Sequence, residues 1–298
     1  MITTSSRIVV LAMAVLAAIA WNAVPATMGA QAPTFFASVD TVRLDVSVRQ
    51  AGRAMTGLVA DDFEVIDNGV RQAVTFVGAE ETPVNLVLAL DMSGSVQGAR
   101  LAQLQQAGQR LAAMLQPADT AALVVFSDRA TVAAAPSVDR QALAMALRAP
   151  VPGTDTALID AAHAAMVLGS STSTAGLGRP VVILFSDGVD TASFLAPNLV
   201  LDTARRLGPV VYAVTLPLSD PDPFLDDLVR LTGGRRLNAD ALNRLSDAFA
   251  EILTESRSRY LVGYSPTGVP RGGWHEVTVR VRGNRSEVRA RPGYLGRP

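Results

Sequence analysis

Three short stretches of this chain gather oxygen-bearing side chains. Asp91-Met92-Ser93-Gly94-Ser95 sets a carboxylate and two hydroxyls at alternate positions, Gly153-Thr154-Asp155-Thr156 adds more hydroxyls, and Ser186-Asp187-Gly188-Val189-Asp190 adds carboxylates. Ser127-Asp128 follows a fourth apolar run. Such donors suit hard cations such as Mg²⁺, Mn²⁺ or Ca²⁺, whereas zinc and copper favour imidazole or thiolate. A tight turn through D-x-S-x-S would set Asp91, Ser93 and Ser95 around one point. Neutral hydroxyls hold a cation without cancelling its charge, so the ion stays open to an anionic ligand from outside.

Composition removes other chemistries. The 298 residues contain no cysteine, which excludes disulfide scaffolds, thiolate zinc sites, iron–sulfur clusters and cysteine nucleophiles. The only histidines are His163 and His275, too few for a His-rich metal site. A net charge of -1 gives no polyelectrolyte pull toward nucleic acid. All 26 basic residues are arginine, which reads as codon bias.

The elements that must position these residues follow from hydrophobic pattern. Leu86–Leu90, Ala121–Phe126, Val181–Phe185 and Val210–Thr215 are continuous apolar runs, as in strands covered on both faces. Helical spacing lies between them: Leu101, Leu104, Gly108, Leu111 and Leu115, then Arg140–Leu147, Ala157–Leu168, Pro197–Leu207 and Pro223–Leu231, with a last helix over Ala241–Ser256. Buried strands alternating with helices predict a doubly wound, mostly parallel α/β sheet over residues 85–258. In such sheets ligands bind at the carboxyl ends of the strands, where the three oxygen-rich stretches fall.

On either side the pattern alternates instead. Val42, Leu44, Val46 and Val48 interleave with Arg43, Asp45, Ser47 and Arg49, and Val277, Val279 and Val281 with Thr278, Arg280 and Arg282. Asp67-Asn68-Gly69 is expected to turn a hairpin between Phe63/Val65 and Val74/Phe76. Residues 33–84 carry 4 Arg against 8 acids and residues 259–298 carry 8 Arg against 2, net charges of -4 and +6. Each flank is too short for much core of its own. The expectation is that they pair into one small antiparallel β-sandwich with the α/β domain inserted between them. Gly169–Gly178, rich in Ser, Thr and Gly, is expected to be a surface loop.

At the amino end, Arg7 precedes 13 uncharged apolar residues from Ile8 to Ala20, and Ala30-Gln31-Ala32 has the form of a cleavage site. Residues 1–32 therefore read as a secretory signal peptide, too short to span a bilayer as a helix, with an uncleaved anchor as the alternative. This predicts a secreted, periplasmic or envelope location and no membrane span once the signal is removed.

At the oxygen-rich stretches the chain resembles the von Willebrand factor type A domain family. The resemblance covers about residues 83–258 and rests on Asp91, Ser93 and Ser95 in D-x-S-x-S, Thr156 in Gly-Thr-Asp-Thr-Ala-Leu and Asp187 in Phe-Ser-Asp-Gly. It implies a metal-ion-dependent adhesion site: Ser93, Ser95 and Thr156 as hydroxyl ligands, Asp91 and Asp187 acting mostly from behind or through water, and a position left for a partner's Asp or Glu. The Thr154-Asp155 pair stands where many relatives have glycines. The flanks resemble a bacterial subgroup of exported proteins related to the same family, for which the resemblance implies no defined role.

Each feature also has a plainer explanation. Ser93 and Ser95 could cap the next helix, Asp128, Asp155 and Asp190 could be turn residues, and His163 and His275 could simply pack. The arginines of the last strands read as a solvated face, or as a docking surface for an anionic envelope polymer. The reading that follows is a non-enzymatic, divalent-metal-dependent binding module completed by a protein partner's carboxylate. The alternatives are an envelope protein whose metal only stabilises it, and a Mg²⁺-dependent hydrolase. The last fits poorly, since Ser93 stands where a phosphohydrolase wants a second Asp and no G-x-S-x-G elbow is present.

Overall fold

A computed structural model describes residues 41–298, except 79–81, 95–97, 149–152, 174–177, 187–188, 217–222, 240, 284 and 297–298. The expected signal peptide (1–32), Ser95 and Asp187 lie outside the described residues. Among the described residues no helix is long and apolar enough to cross a membrane.

The leading flank supplies β1 (Val42–Gln50), β2 (Arg53–Ala54), β3 (Phe63–Asp67), β4 (Val70–Gln72) and β5 (Val74–Gly78). The continuous apolar runs form β6 (Val84–Asp91), β7 (Thr120–Phe126), β9 (Arg179–Ser186) and β10 (Val210–Thr215), joined by β8 (Ala130–Ser137) and β11 (Arg236–Asn238) in the order β11-β10-β9-β6-β7-β8. All but β8 run parallel to their neighbours. All eight residues of β6 are buried, and they alternate between two cores. Leu86, Leu88 and Leu90 pack with α1 (Ala99–Met114), α2 (Arg140–Arg148) and α6 (Leu245–Arg257), while Val87 and Ala89 pack with α3 (Leu158–Ser173), α4 (Pro197–Arg206) and α5 (Pro223–Thr232). The alternation is the period of 2 of a strand read by helices on both sides.

Three details differ from the sequence reading. β8 was not anticipated: its Ala-rich stretch with Pro136 has weak strand propensity, and it persists as an antiparallel edge strand on β7, where proline is tolerated. Helix α3 continues to Ser173, so Gly169–Ser173 is helix, not loop; the Ser171 hydroxyl donates back to the Leu168 carbonyl at 2.7 Å. The Asn68-Gly69 turn, with φ of 45° and 80°, closes β3 onto β4 rather than onto β5. β5 pairs instead with β12 (Tyr260–Tyr264) in a different sheet.

The trailing flank adds β12, β13 (Gly273–Val281), β14 (Glu287–Arg289) and β15 (Gly293–Gly296). Strands from the two flanks combine in two sheets, alternating in β14-β1-β12-β5 (with β2 on β1) and meeting at β13–β3 in β15-β13-β3-β4. They share one core, including Leu44, Val46, Phe63, Val65, Tyr260, Val262, Val277 and Val279. Phe63 and Tyr260 meet edge to face, 5.4 Å between ring centres. His275 is buried here, its Nδ1 2.8 Å from Asp67 Oδ1, while the hydroxyls of Tyr264 and Tyr294 donate to Asp67 Oδ2 at 2.8 and 2.9 Å. Burial, then the neighbouring Asp67 carboxylate, raises the pKa of both tyrosines. His275 thus has a packing role.

Where the flank sheets meet the α/β region, the buried Arg259 is the hub. It donates to the Tyr212 hydroxyl (3.1 Å) and to the carbonyls of Asp45 (2.8 Å) and Gly233 (2.9 Å), and lies 3.7 Å from Glu255. Glu255 accepts from Tyr212 (3.1 Å), Arg235 (2.8 Å) and Arg49 (3.0 Å). Arg179 donates to the Asp45 carboxylate at 2.6 Å and to the Arg259 carbonyl at 3.0 Å. Burial pushes the Glu255 carboxyl up, but the guanidinium of Arg235, its hydrogen bonds and the charge of Arg259 outweigh it and hold the pKa below the ordinary range.

Candidate metal centre

The site is built at the carboxyl ends of adjacent parallel strands. In register, Asp91 ends β6 beside Phe126 at the end of β7, and Leu90 lies beside Phe185 one residue before β9 ends at Ser186. Side chains leaving these ends therefore start within a strand spacing or two of one another, about 5–10 Å.

Asp91 is fully buried, and its carboxylate is held from two sides. The Ser93 amide donates to Oδ1 at 2.9 Å, which folds D-x-S into a tight turn, and the Ser186 hydroxyl donates to Oδ2 at 2.7 Å from the next strand. Ser93 is itself buried. The turn is tied to its neighbours: Met92 N–H donates to the Phe126 carbonyl at 2.7 Å, and Gly153 N–H to the Met92 carbonyl at 3.1 Å. A Cβ on Gly94 would lie 3.4 Å from the Thr154 carbonyl oxygen, so the first and second stretches are in van der Waals contact. Gly153 has to be glycine, because a Cβ there would sit 2.3 Å from the Ser127 hydroxyl.

Thr156 is buried and its backbone is clamped on both sides. Its N–H donates to the Thr191 hydroxyl at 2.9 Å, and its carbonyl accepts from Thr191 N–H (2.9 Å) and Ala192 N–H (3.2 Å). The Ala157 N–H donates to the Ser127 carbonyl at 2.6 Å. Upstream, one oxygen of Asp128 accepts from the amides of Thr154 (3.0 Å) and Asp155 (2.8 Å), and these two bonds lower its pKa. Asp128 is thus a turn-forming residue, and Asp155 is left exposed. Downstream, Asp190 accepts from the Ile159 amide at 3.2 Å at the start of α3, and Asp160 accepts from the amides of Phe194 (3.0 Å) and Leu195 (2.9 Å).

Of the five sequence-derived candidates, Asp91, Ser93 and Thr156 are described, and the loops that carry them converge on one rim. Ser95 and Asp187 lie outside the described residues. Sequence reasoning did not single out Ser186, Thr191, Ser193 and Asp160, whose hydrogen bonds fasten the loops around Asp91 and Thr156. The Ser/Asp/Thr density of 186–193 is a signal that could have marked the first three.

The donor set fits a hard divalent cation. It consists of hydroxyl and carboxylate oxygens, and both Asp91 oxygens already accept hydrogen bonds, which suits a carboxylate that supports hydroxyl ligands from behind. Among the described residues no three or more His, Cys, Asp or Glu side chains cluster to hold a metal.

Comparison with known proteins bears on the fold that carries these loops. Residues 86–189 match the family model of the von Willebrand factor type A domain. A UPF0353 protein of Mycolicibacterium paratuberculosis is 26% identical over 197 residues, 56% of this chain; the match spans only 58% of that relative. Among solved structures, a von Willebrand factor type A protein from Catenulispora acidiphila superposes with a TM-score of 0.54 at 13% identity, covering 78% of this chain and 73% of that one. Proximal thread matrix protein 1 of the mussel byssus, whose metal-ion-dependent adhesion site holds zinc in one structure, gives 0.50 at 14% identity over 64% of this chain and 49% of its own. At such identities these superpositions speak to the fold. The family match over residues 86–189 and these superpositions support a von Willebrand factor type A domain in this chain.

Proposed function

We propose that this protein is a non-enzymatic, extracytoplasmic binding module that engages a protein partner through a divalent cation held by Ser93, Ser95 and Thr156, with Asp91 and Asp187 in support. One observation carries the reading: the buried Asp91 carboxylate is fixed by the Ser93 amide and the Ser186 hydroxyl, while the Thr156 backbone is locked independently by Thr191. The hydroxyl-bearing loops are thus pre-ordered, which lowers the entropic cost of gathering ligands. The bound cation, Mg²⁺ or else Mn²⁺ or Ca²⁺, would supply an electrophilic centre to which a partner's Asp or Glu can add. Neutral hydroxyls limit the negative charge that such a carboxylate meets. In this reading residues 33–84 and 259–298 form one small β-sandwich carrying the α/β unit of residues 85–258, which the core shared by β1, β3, β12 and β13 supports. Export of the chain rests on the amino-terminal signal pattern.

Equilibrium dialysis against millimolar Mn²⁺ or Mg²⁺ tests the site. The wild-type chain is expected to take up one ion, and Ser93→Ala and Thr156→Ala to lose it while remaining folded. Uptake indifferent to both substitutions overturns the assignment. Envelope-extract capture that survives chelator overturns the binding role, and a lowered melting temperature with no partner lost would favour metal as a stabiliser only.

A further inference from the structure

Phe194 stands apart from every other large apolar side chain among the described residues. It is 93% exposed, whereas the next, Met145, is 60% exposed. Full exposure of an aromatic ring is usual on a loose loop, but this loop is fastened at almost every residue. Thr191 and Ala192 donate to the Thr156 carbonyl at 2.9 and 3.2 Å, and the Thr191 hydroxyl receives the Thr156 amide. The Ser193 hydroxyl donates to Asp190 and accepts from the Asp160 amide at 3.1 Å. The Phe194 and Leu195 amides both end on the Asp160 carboxylate, at 3.0 and 2.9 Å. The backbone is therefore pinned to Thr156 and to the first turn of α3 while the ring packs against nothing that would repay its contact with water. Val189, at the start of the same loop, is also more than half exposed.

The position is informative. Ala192 N–H donates to the Thr156 carbonyl, and two residues of chain reach at most about 7 Å, so the Phe194 backbone lies within about 10 Å of the Thr156 carbonyl. An extended peptide advances about 3.3 Å per residue. A partner segment whose carboxylate sits at the metal centre can therefore reach the ring with a side chain two or three residues away.

We infer that Phe194, with Val189, is an apolar subsite of the metal centre, and that the partner segment carries an aliphatic or aromatic side chain within three residues of its metal-seeking Asp or Glu. This rests on the metal-dependent binding reading above and narrows it to a class of partner: an acidic–apolar segment. The pinned loop spares the backbone ordering entropy, leaving the cost of fixing the side chain when the ring is covered.

The test is a bead-displayed library of heptapeptides with one fixed Asp or Glu and randomised neighbours, probed with the full chain in Mn²⁺ and in chelator. Metal-dependent binders are expected to be enriched in Leu, Ile, Met, Phe or Tyr within three positions of the fixed acid. Resynthesised winners should bind about tenfold tighter than their Ser-substituted versions. Phe194→Ser should abolish that advantage and Phe194→Leu keep most of it, with Mn²⁺ uptake and denaturation midpoint equal to wild type in both. Metal-dependent binding with no apolar enrichment, or an enrichment untouched by Phe194→Ser, overturns the subsite and leaves the module reading intact. Binding that ignores chelator and Thr156→Ala, or no binding of any acidic peptide, overturns the module reading and the subsite with it.

Discussion

Two polar clusters among the described residues are composed differently. At the junction of the flank sheets and the α/β region, carboxylates meet guanidinium groups: Glu255 is bracketed by Arg49, Arg235 and Arg259, and Asp45 by Arg179. At the carboxyl rim of the central sheet, the partners seen for Asp91 are an amide and a hydroxyl, and those of Asp128 are amides and a hydroxyl. A buried ion network satisfied from within is a fastener, since desolvation has already been offset by opposite charge. At the rim, Asp91 and Asp128 accept hydrogen bonds from amides and hydroxyls, and in the metal-binding reading this is where a cation from solution would be held. The contrast lies in what the carboxylates accept from: guanidinium groups at the junction, amides and hydroxyls among the partners seen at the rim.

Breaking the junction should have the largest effect. Glu255→Ala leaves three arginines without their shared carboxylate and should cost about 3–5 kcal/mol of stability by denaturant unfolding, with metal uptake altered only through unfolding. Thr156→Ala should do the reverse: loss of Mn²⁺ uptake by dialysis, with a stability cost near 1 kcal/mol from one buried hydroxyl. If the two variants gave the same pattern, the contrast between fastener and receptor would fail.

Acid sharpens it further. Because the Glu255 pKa is depressed in the folded protein, its contribution is fully present above the ordinary carboxyl value of 4.5 and is lost as pH falls through the lower folded value. Stability measured from pH 6 downward should therefore drop more steeply in the wild type than in Glu255→Gln, and parallel curves would contradict the network's role. The smallest effect is expected from Asp128→Asn, which weakens the turn before Thr156 without removing any metal ligand. Uptake of Mn²⁺ should weaken severalfold while the denaturation midpoint stays put, and an unchanged affinity would show that the turn does not position Thr156.

Much of the central sheet was legible because β6, β7, β9 and β10 are apolar on both faces, a pattern that few other structures produce. β8 was not legible, since alanines on a wet edge carry no periodic signal. The Asn68-Gly69 turn was recognisable from residue type, yet the strand it served was not: β4 is three residues long, and whether β5 pairs with β3 or with β12 depends on partners nearly two hundred residues away. At the site, the oxygen donors were visible as spacing. Ser186 and Thr191 were not, because a hydroxyl that orients another residue looks in sequence like any other.

Sequence by itself determined the donor chemistry, oxygens without thiols and with only two imidazoles, and the alternation of buried strands with helices that sends those donors to strand ends. Tertiary structure decided which acids meet guanidinium groups and which meet amides and hydroxyls. Glu255 and Asp91 are both acids on apolar elements in the sequence; only packing brings arginines to the first and hydroxyl and amide dipoles to the second. The physical reason is that local pattern fixes which face of an element is buried, while electrostatic pairing depends on side chains brought together from distant parts of the chain.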